Sequence, residues 1–342
     1  MIPSDHPIRV IKRLLGEVLR AMDDQFEAMY AAGGRPSIPP ERLLLAKVLM
    51  ALYTIRSERQ FCERLQYDLL FRWFLDLNPD EATFDHSTFS QNQGRLLRHE
   101  VADLFFAQVV ALAKHRGWVS DQHFSVDATL IESWASLKSF KPKRDDGDRG
   151  DGNGWADFKG QKRRNDTHAS TTDPEAKLTR KGDGQEAKLA FAGHAAMENR
   201  HGLCVRFEVK PAHGSDAAVA VQQIATLQQR GIRPRTVGAD RGYCSAPFIE
   251  GMRGRGGVPH PAPQGQRRLL GVKVRSRAYQ LSQKCRRKIE EIFGWTKTTG
   301  CLRKSRYLGV ARTHAAAQYV VAACNLVRMA RLSLGPPQLM RA

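Results

Sequence analysis

The chain has 342 residues, 42% of them hydrophobic, and a formal net charge of +19 from 54 Lys and Arg against 35 Asp and Glu. That length allows a large core or two domains. No apolar run nears the ~20 residues of a membrane span, and Met1 to Arg13 lacks the apolar centre of a signal peptide. Six scattered cysteines (Cys62, Cys204, Cys244, Cys285, Cys301, Cys324) with no closely spaced pair argue against a zinc site or a disulfide framework. They fit a reducing, cytoplasmic compartment. The charge is unevenly placed. From Gly251 to Ala342 there are 19 Lys or Arg and only two acids, Glu290 and Glu291, so this segment carries +17 of the total. Such a surface suits polyphosphate. With no amphipathic basic anchor for a membrane, nucleic acid is the expected partner. A carboxylate kept inside that surface is most simply explained by a divalent metal beside the bound phosphate.

Residues 8 to 118 read as mostly helical. Pro39 and Pro40 open a helix at Glu41, whose apolar face is Leu43, Leu44, Leu45, Val48, Leu49, Leu52 and Tyr53. A second run covers Glu58 to Leu70, followed by the aromatic stretch Phe71 to Leu75. Asp85 or Ser87 can cap a further helix carrying Arg95 and Arg98. Short helices joined by tight polar turns fit a helix-turn-helix-like module in contact with DNA, or a helical scaffold with a solvated basic face.

After Trp118 the period changes from helix to strand. In His123 to Leu130, Phe124, Val126, Ala128 and Leu130 alternate with His123, Ser125, Asp127 and Thr129, which puts Asp127 on a polar strand face. Residues 141 to 187, with 11 basic and 10 acidic residues and seven glycines, read as a long flexible insertion. Lys188 to Met197 and Leu203 to Lys210 read as a hairpin turning at Asn199-Arg200-His201-Gly202. Ser215 caps a helix, Thr236 to Ala239 is a strand ending at Asp240, and Gly256 to Gly265 is a loop. One long helix runs from about Ala278 to Lys297, and a last apolar helix from about Thr313 to Leu332. The order describes an α/β sheet of mixed direction.

Three acids stand at addresses suited to chemistry: Asp127 within a strand, Asp240 where a strand meets a loop, and Glu290 on a helix. Carboxylates from separate elements can converge on two Mg²⁺ or Mn²⁺ ions and serve in-line phosphoryl transfer. On a continuous helix Arg286, Glu290, Phe293 and Lys297 share one stripe. The bland alternative is an exposed Arg–Glu pair, but that leaves the exclusion of other acids unexplained. Trp295 can stack on a base or pack in the core. His123 and His194 can bind metal or simply form hydrogen bonds. Lys159, Lys162, Arg163 and Arg164 can grip a backbone or stay solvated. Glu132 competes weakly for a metal role, and Asp216 looks like first-turn helix chemistry.

Arg286-x3-Glu290-x6-Lys297, within Lys288-Ile289-Glu290-Glu291-Ile292-Phe293-Gly294-Trp295-Thr296-Lys297, resembles the C-terminal signature of bacterial insertion-sequence transposases of the DDE superfamily. Ser125-Val126-Asp127-Ala128-Thr129 and Gly238-Ala239-Asp240-Arg241-Gly242-Tyr243 resemble its two earlier acidic motifs. Thr172 to Ala176 and Gly193-His194-Ala195 resemble its middle region, and about Phe26 to Leu97 its N-terminal helical domain. One departure is Gln283, where the signature usually has Tyr; Tyr279 lies one turn earlier. The resemblance implies an all-α N-terminal domain over 1–118 and a ribonuclease-H-like mixed α/β domain over 119–335. It implies Mg²⁺- or Mn²⁺-dependent cleavage at transposon ends and strand transfer into target DNA. Asp127, Asp240 and Glu290 would be catalytic metal ligands, with Arg286 and Lys297 on DNA near the cleaved end. The basic pairs Arg303/Lys304 and Arg267/Arg268 are further expected DNA contacts. The expected partners are the terminal inverted repeats and a target duplex, bound by a homodimer or larger assembly in the bacterial nucleoid. A nuclease without strand transfer and a repressor with a dead site are the rivals; the intact acids argue against the latter.

Overall fold

The computed structural model describes residues 2–29, 38–143, 163–180, 182, 184–264 and 271–335. The N-terminal part is helical: α1 (Pro7–Arg20), α2 (Asp23–Glu27), α3 (Pro40–Leu52), α4 (Glu58–Tyr67), α5 (Leu69–Phe74), α6 (His86–Arg98) and α7 (Val101–His115). Helix α3 is buried nearly all round, including Lys47, so the apolar stripe expected from its sequence is only part of its packed surface. The expected run from Glu58 to Leu70 is two helices. Asp68 breaks it by leaving the helical region and accepting hydrogen bonds from the backbone of Leu70 and Phe71. Asp85, rather than Ser87, caps α6.

The sheet is built from β1 (His123–Glu132), β4 (Lys177–Thr179), β5 (Lys188–Glu198), β6 (Leu203–Pro211), β7 (Thr236–Ala239) and β8 (Val258–Pro261). Central β1 runs antiparallel to β5 and parallel to β7; β6 pairs antiparallel with β5, and β8 parallel with β7. This is the expected ribonuclease-H-like mixed sheet. Gly202, at φ +74°, turns the β5–β6 hairpin. Helices α8 (Asp216–Gln229) and α9 (Ala246–Arg253) lie between β6 and β8. As expected, Ser215 caps α8, and Asp216 stands in its first turn.

Several expectations need correction. Ser125 is fully buried while His123, Asp127 and Thr129 are half-buried, so the polar face of β1 is largely covered. Strand β8 lies within the stretch read as a Pro/Gly loop. Pro259 and Pro261 hid it, but among the described residues β8 pairs only with β7, and an edge strand tolerates prolines. Within 141–187, the described residues include β3 (His168–Ser170), paired with β2 (Phe140–Pro142), and β4 on the main sheet. Asp173 accepts hydrogen bonds from Ser133 and the Gly309 backbone, and Glu175 from the Val310 backbone. These acids serve the N-terminus of α12 (Val310–Leu334), where unpaired backbone donors favour negative charge. Helix α12 packs against α1, α3 and α7 on one hand and β6 on the other. Its buried Ala317, Val321, Ala323 and Leu326 join a core cluster shared by helices and sheet. Gly300 is required for this packing, since a Cβ there would sit 2.2 Å from Val320.

Candidate active site

β1 and β7 pair in parallel through His123–Thr236, Phe124–Val237 and Ser125–Gly238. Continuing that register by two residues, one past the end of β7, points to Asp240 as the neighbour of Asp127; paired strands are usually about 4.8 Å apart. β7 ends at Ala239. Asp240 then caps a single 3₁₀ turn, Arg241–Tyr243, by accepting from the Gly242 backbone at 2.8 Å. Asp127 Oδ1 accepts from the Ala128 backbone at 2.8 Å.

The expected helix from Ala278 to Lys297 is broken into α10 (Arg277–Arg286) and α11 (Ile289–Lys297). Between them the backbone bonds Lys288 to Cys285, Glu290 to Arg287 and Glu291 to Lys288 span three residues, a tightened 3₁₀ turn. Lys284, Arg286, Arg287 and Lys288 concentrate like charge here, and repulsion such as that between Lys284 and Lys288 disfavours a regular helix. Arg286 and Glu290 therefore flank a break and do not share a continuous helical stripe. Even so, α10 packs against β1, β7 and β8, and α11 against β1, which carries both groups toward Asp127.

Burial pushes the Asp127 carboxyl up to about 7, helped by the negative charges of Asp240 and Glu290 and opposed by its backbone hydrogen bond and Arg286. Asp240, Glu290 and Arg286 thus each lie close enough to act on the charge of Asp127. The Arg286 Nε is buried without a hydrogen-bond partner among the described residues. Tyr243 is buried beside them, and its phenol is pushed well up by burial and by Asp127, Asp216 and Asp240, so it stays protonated.

Among the described residues no three His, Cys, Asp or Glu side chains stand close enough together to form a ready cage for a metal ion. The donor chemistry nevertheless fits a hard divalent cation. The carboxylates are oxygen ligands, their mutual repulsion is relieved by positive charge, and Mg²⁺ keeps several waters rather than demanding an all-protein cage.

Gln283 stands where the resemblance leads one to expect Tyr. Its Nε2 donates to the carbonyl of His260 at 2.5 Å and more loosely to that of Ala239, tying α10 to the ends of β8 and β7 beside Asp240. The Tyr279 hydroxyl donates to the Pro261 carbonyl at 2.9 Å, so it too fastens α10 to β8. Sequence reading missed His260 and Ser282, whose Nδ1 and Oγ are buried without partners among the described residues; with β8 read as a loop, nothing marked them.

The other candidates are dispersed. Glu132 forms an ion pair with Lys188 at 2.8 Å. His123 Nδ1 meets the Thr236 hydroxyl at 2.6 Å, and His194 is buried 3.7 Å from Asp216. Trp295 packs against the core. Arg303 and Lys304 are exposed, and Lys297 is half-buried on α11. Lys304 lies over the ring of the exposed Trp134, 5.6 Å from its centroid. Arg163 and Arg164 precede β3, whereas Lys159, Lys162, Arg267 and Arg268 lie outside the described residues. No described helix is long and apolar enough to cross a membrane.

Comparison with known proteins bears on this geometry. No curated protein matches the chain. Among solved structures, a piggyBac transposase synaptic complex with hairpin DNA is 8% identical at a TM-score of 0.46, covering 96% of this chain and 76% of that one. A Mos1 transposase paired-end complex with left transposon end is 10% identical at 0.21, covering 82% and 83%. Both likenesses are too loose to bear on function. Residues 1–95 match the family described as "Transposase domain (DUF772)". Residues 120–326, more than half of the chain, match the family described as "Transposase DDE domain". The chain therefore belongs to the DDE transposase family, enzymes of DNA transposition that act by phosphoryl transfer and depend on divalent metal.

Proposed function

We propose that this transposase cleaves DNA strands at the ends of an insertion sequence and transfers them into target DNA, with Asp127, Asp240 and Glu290 as its catalytic acids. The observation that carries the reading is the parallel pairing of β1 with β7 and the packing of α10 and α11 on β1, which leave Asp240, Glu290 and Arg286 acting on the charge of Asp127. The acids would hold Mg²⁺ or Mn²⁺, two ions in the full reading. Bound there, such ions supply charge neutralisation at the phosphate and activation of a water or 3′-hydroxyl. In this reading Asp127 and Asp240 would supply two ligands from the ends of paired strands, and Glu290 on α11 the third. The Arg286 guanidinium would meet a phosphate near the cleaved end, and Lys297, at the far end of α11, would add a charge. In this reading the helices of 1–118 and the basic residues Arg303, Lys304, Arg267 and Arg268 hold terminal repeats and target duplex. A homodimer or larger assembly would bring two ends together.

Incubation of the purified protein with a duplex carrying the element's terminal repeat tests the reading. Joined products are expected; nicks without joining would indicate a nuclease, and gel shifts without cutting a repressor. Two further outcomes are expected. Arg clamps a phosphate bidentately, whereas Lys is a compact charge. In cleavage kinetics, Arg286→Lys therefore slows cutting at least 10-fold while Lys297→Arg is milder. Lys297→Ala lowers end-specific cleavage more than affinity for random duplex; equal losses would make it a generic backbone contact. Second, affinity falls steeply with salt, and Ala at both Arg303 and Lys304 flattens the log–log slope by about 1 to 2 units, near ~0.9 per phosphate lost. An unchanged slope would remove this loop from the DNA-binding face.

A further inference from the structure

A cavity of about 490 Å³ opens between α3, α6, the loop 300–307 and α12, away from the three acids. Its floor is apolar, with Met50, Ile55, Leu96 and Val320 among its walls, and two tyrosines, Tyr307 and Tyr319, add aromatic surface. Its charge is one-sided. Lys47, Arg56, Lys304, Arg306 and Arg312 line it against one carboxylate, Glu58, which Lys47 and Arg306 already engage. The side chains of Arg56 and Arg312 are exposed and make no hydrogen bond or ion pair among the described residues. An apolar slot with surplus cations at its mouth matches a flat aromatic group bearing a phosphate.

Two features indicate that the space is kept open. Gly94 lies inside α6, where glycine costs a helix about 1 kcal/mol relative to Ala. Yet a Cβ there would meet nothing nearer than Arg98 at 3.9 Å, so packing does not require the glycine; its absent side chain leaves the cavity wall clear. Opposite, Cys301 holds φ +56°, an uncommon conformation for a residue with a side chain, with its Sγ against the Thr54 carbonyl. The loop is also docked to the strand of the candidate site. Glu132 on β1 bonds the Arg303 backbone, five residues from Asp127, roughly 17 Å at ~3.3 Å per residue.

We infer that this cavity receives one unpaired nucleotide of the bound DNA, its base on the apolar floor between α6 and α12 and its phosphate on Arg56 and Arg312. The inference rests on DNA being the substrate. Binding is measured by fluorescence with a duplex carrying one bulged fluorescent adenine analogue and with its fully paired counterpart. Wild type binds the bulged duplex at least 10-fold more tightly and changes the analogue's emission. Gly94→Phe fills the slot and brings the bulged duplex to the affinity of the paired one, while paired binding and thermal stability hold, since any side chain favours the helix over glycine. Gly94→Ala keeps the preference. Equal affinity of wild type for the two duplexes, or a preference that survives Gly94→Phe, overturns the inference while leaving DNA binding intact. Occupancy by free deoxyadenosine monophosphate without preference for the bulge overturns it in favour of a free-nucleotide site. Failure to bind either duplex overturns the transposition reading and this inference together.

Discussion

Replacing Asp127, Asp240 or Glu290 by Ala lowers strand cleavage by at least 10³-fold and leaves duplex affinity within about 3-fold of wild type. In the proposed site each substitution removes a carboxylate that would hold a divalent cation, and metal-assisted activation is worth several kcal/mol at the transition state, where each 1.36 kcal/mol is tenfold in rate. None removes a cation that could hold phosphate. Glu291 is the internal control. It is exposed next to Glu290 but is not among the main influences on Asp127. Glu291→Ala therefore retains cleavage within a few-fold. Cleavage kinetics and gel shift on the same preparations check all four variants. Near wild-type cutting by any of the three removes that residue from the set, and a reversal of the Glu290 and Glu291 phenotypes means that α11 presents a different face to Asp127.

The largest expected effect on stability lies elsewhere, at Lys47 and Glu58. Their charged groups are 3.0 Å apart and more than nine-tenths buried. Glu58 also accepts from Ser90, Gln93 and Tyr307, and Arg306 lies at 3.5 Å, so this carboxylate ties α3, α4 and α6 to the loop before α12. Lys47→Ala leaves a buried carboxylate short of its main counter-charge and costs about 3–5 kcal/mol. Replacing both residues by Met costs much less, because no charge is then stranded. Thermal or urea unfolding checks this, and a double variant as unstable as Lys47→Ala would show that the cost is not electrostatic. Burial alone would raise the Glu58 carboxyl, but Lys47, the Ser90 hydroxyl and Arg306 outweigh it and hold the group at about 2, below its usual 4.5. A carboxylate so depressed contributes stability above pH 4.5 and loses it as pH falls toward 2. The contribution is at most roughly 3 kcal/mol, and Glu58→Gln flattens the acid limb.

The sequence made some of this visible and hid the rest for physical reasons. The alternation from His123 to Leu130 and the short apolar run before Asp240 identify β1 and β7, since strand period and burial are local properties. That Asp240 comes near enough to act on Asp127 depends on register between strands more than a hundred residues apart, which no local pattern encodes. The break between Arg286 and Ile289 was concealed because residues in a single 3₁₀ turn keep nearly helical spacing; the crowded cations were its only trace. Prolines disguised β8, as an edge strand tolerates what a central one does not. Nothing in the sequence marks Lys47, because its partner comes from the next helix and only packing excludes water from the pair. Gln283 was legible as a departure but not as a solution: its two carbonyl partners belong to β7 and to the unrecognised β8.

The most direct test of the proposed site is calorimetric titration of the DNA-free protein with Mn²⁺ near pH 7, repeated in buffers of different ionisation enthalpy. Asp127 holds its proton up to about pH 7, raised by burial and by Asp240 and Glu290. A cation that binds the three carboxylates must displace that proton. The account predicts binding that releases up to one proton near pH 7, weakens about tenfold per unit as pH falls below 7, and is lost in the combined Asp127→Asn, Asp240→Asn, Glu290→Gln variant. Metal binding that is independent of pH and survives in that variant would contradict it.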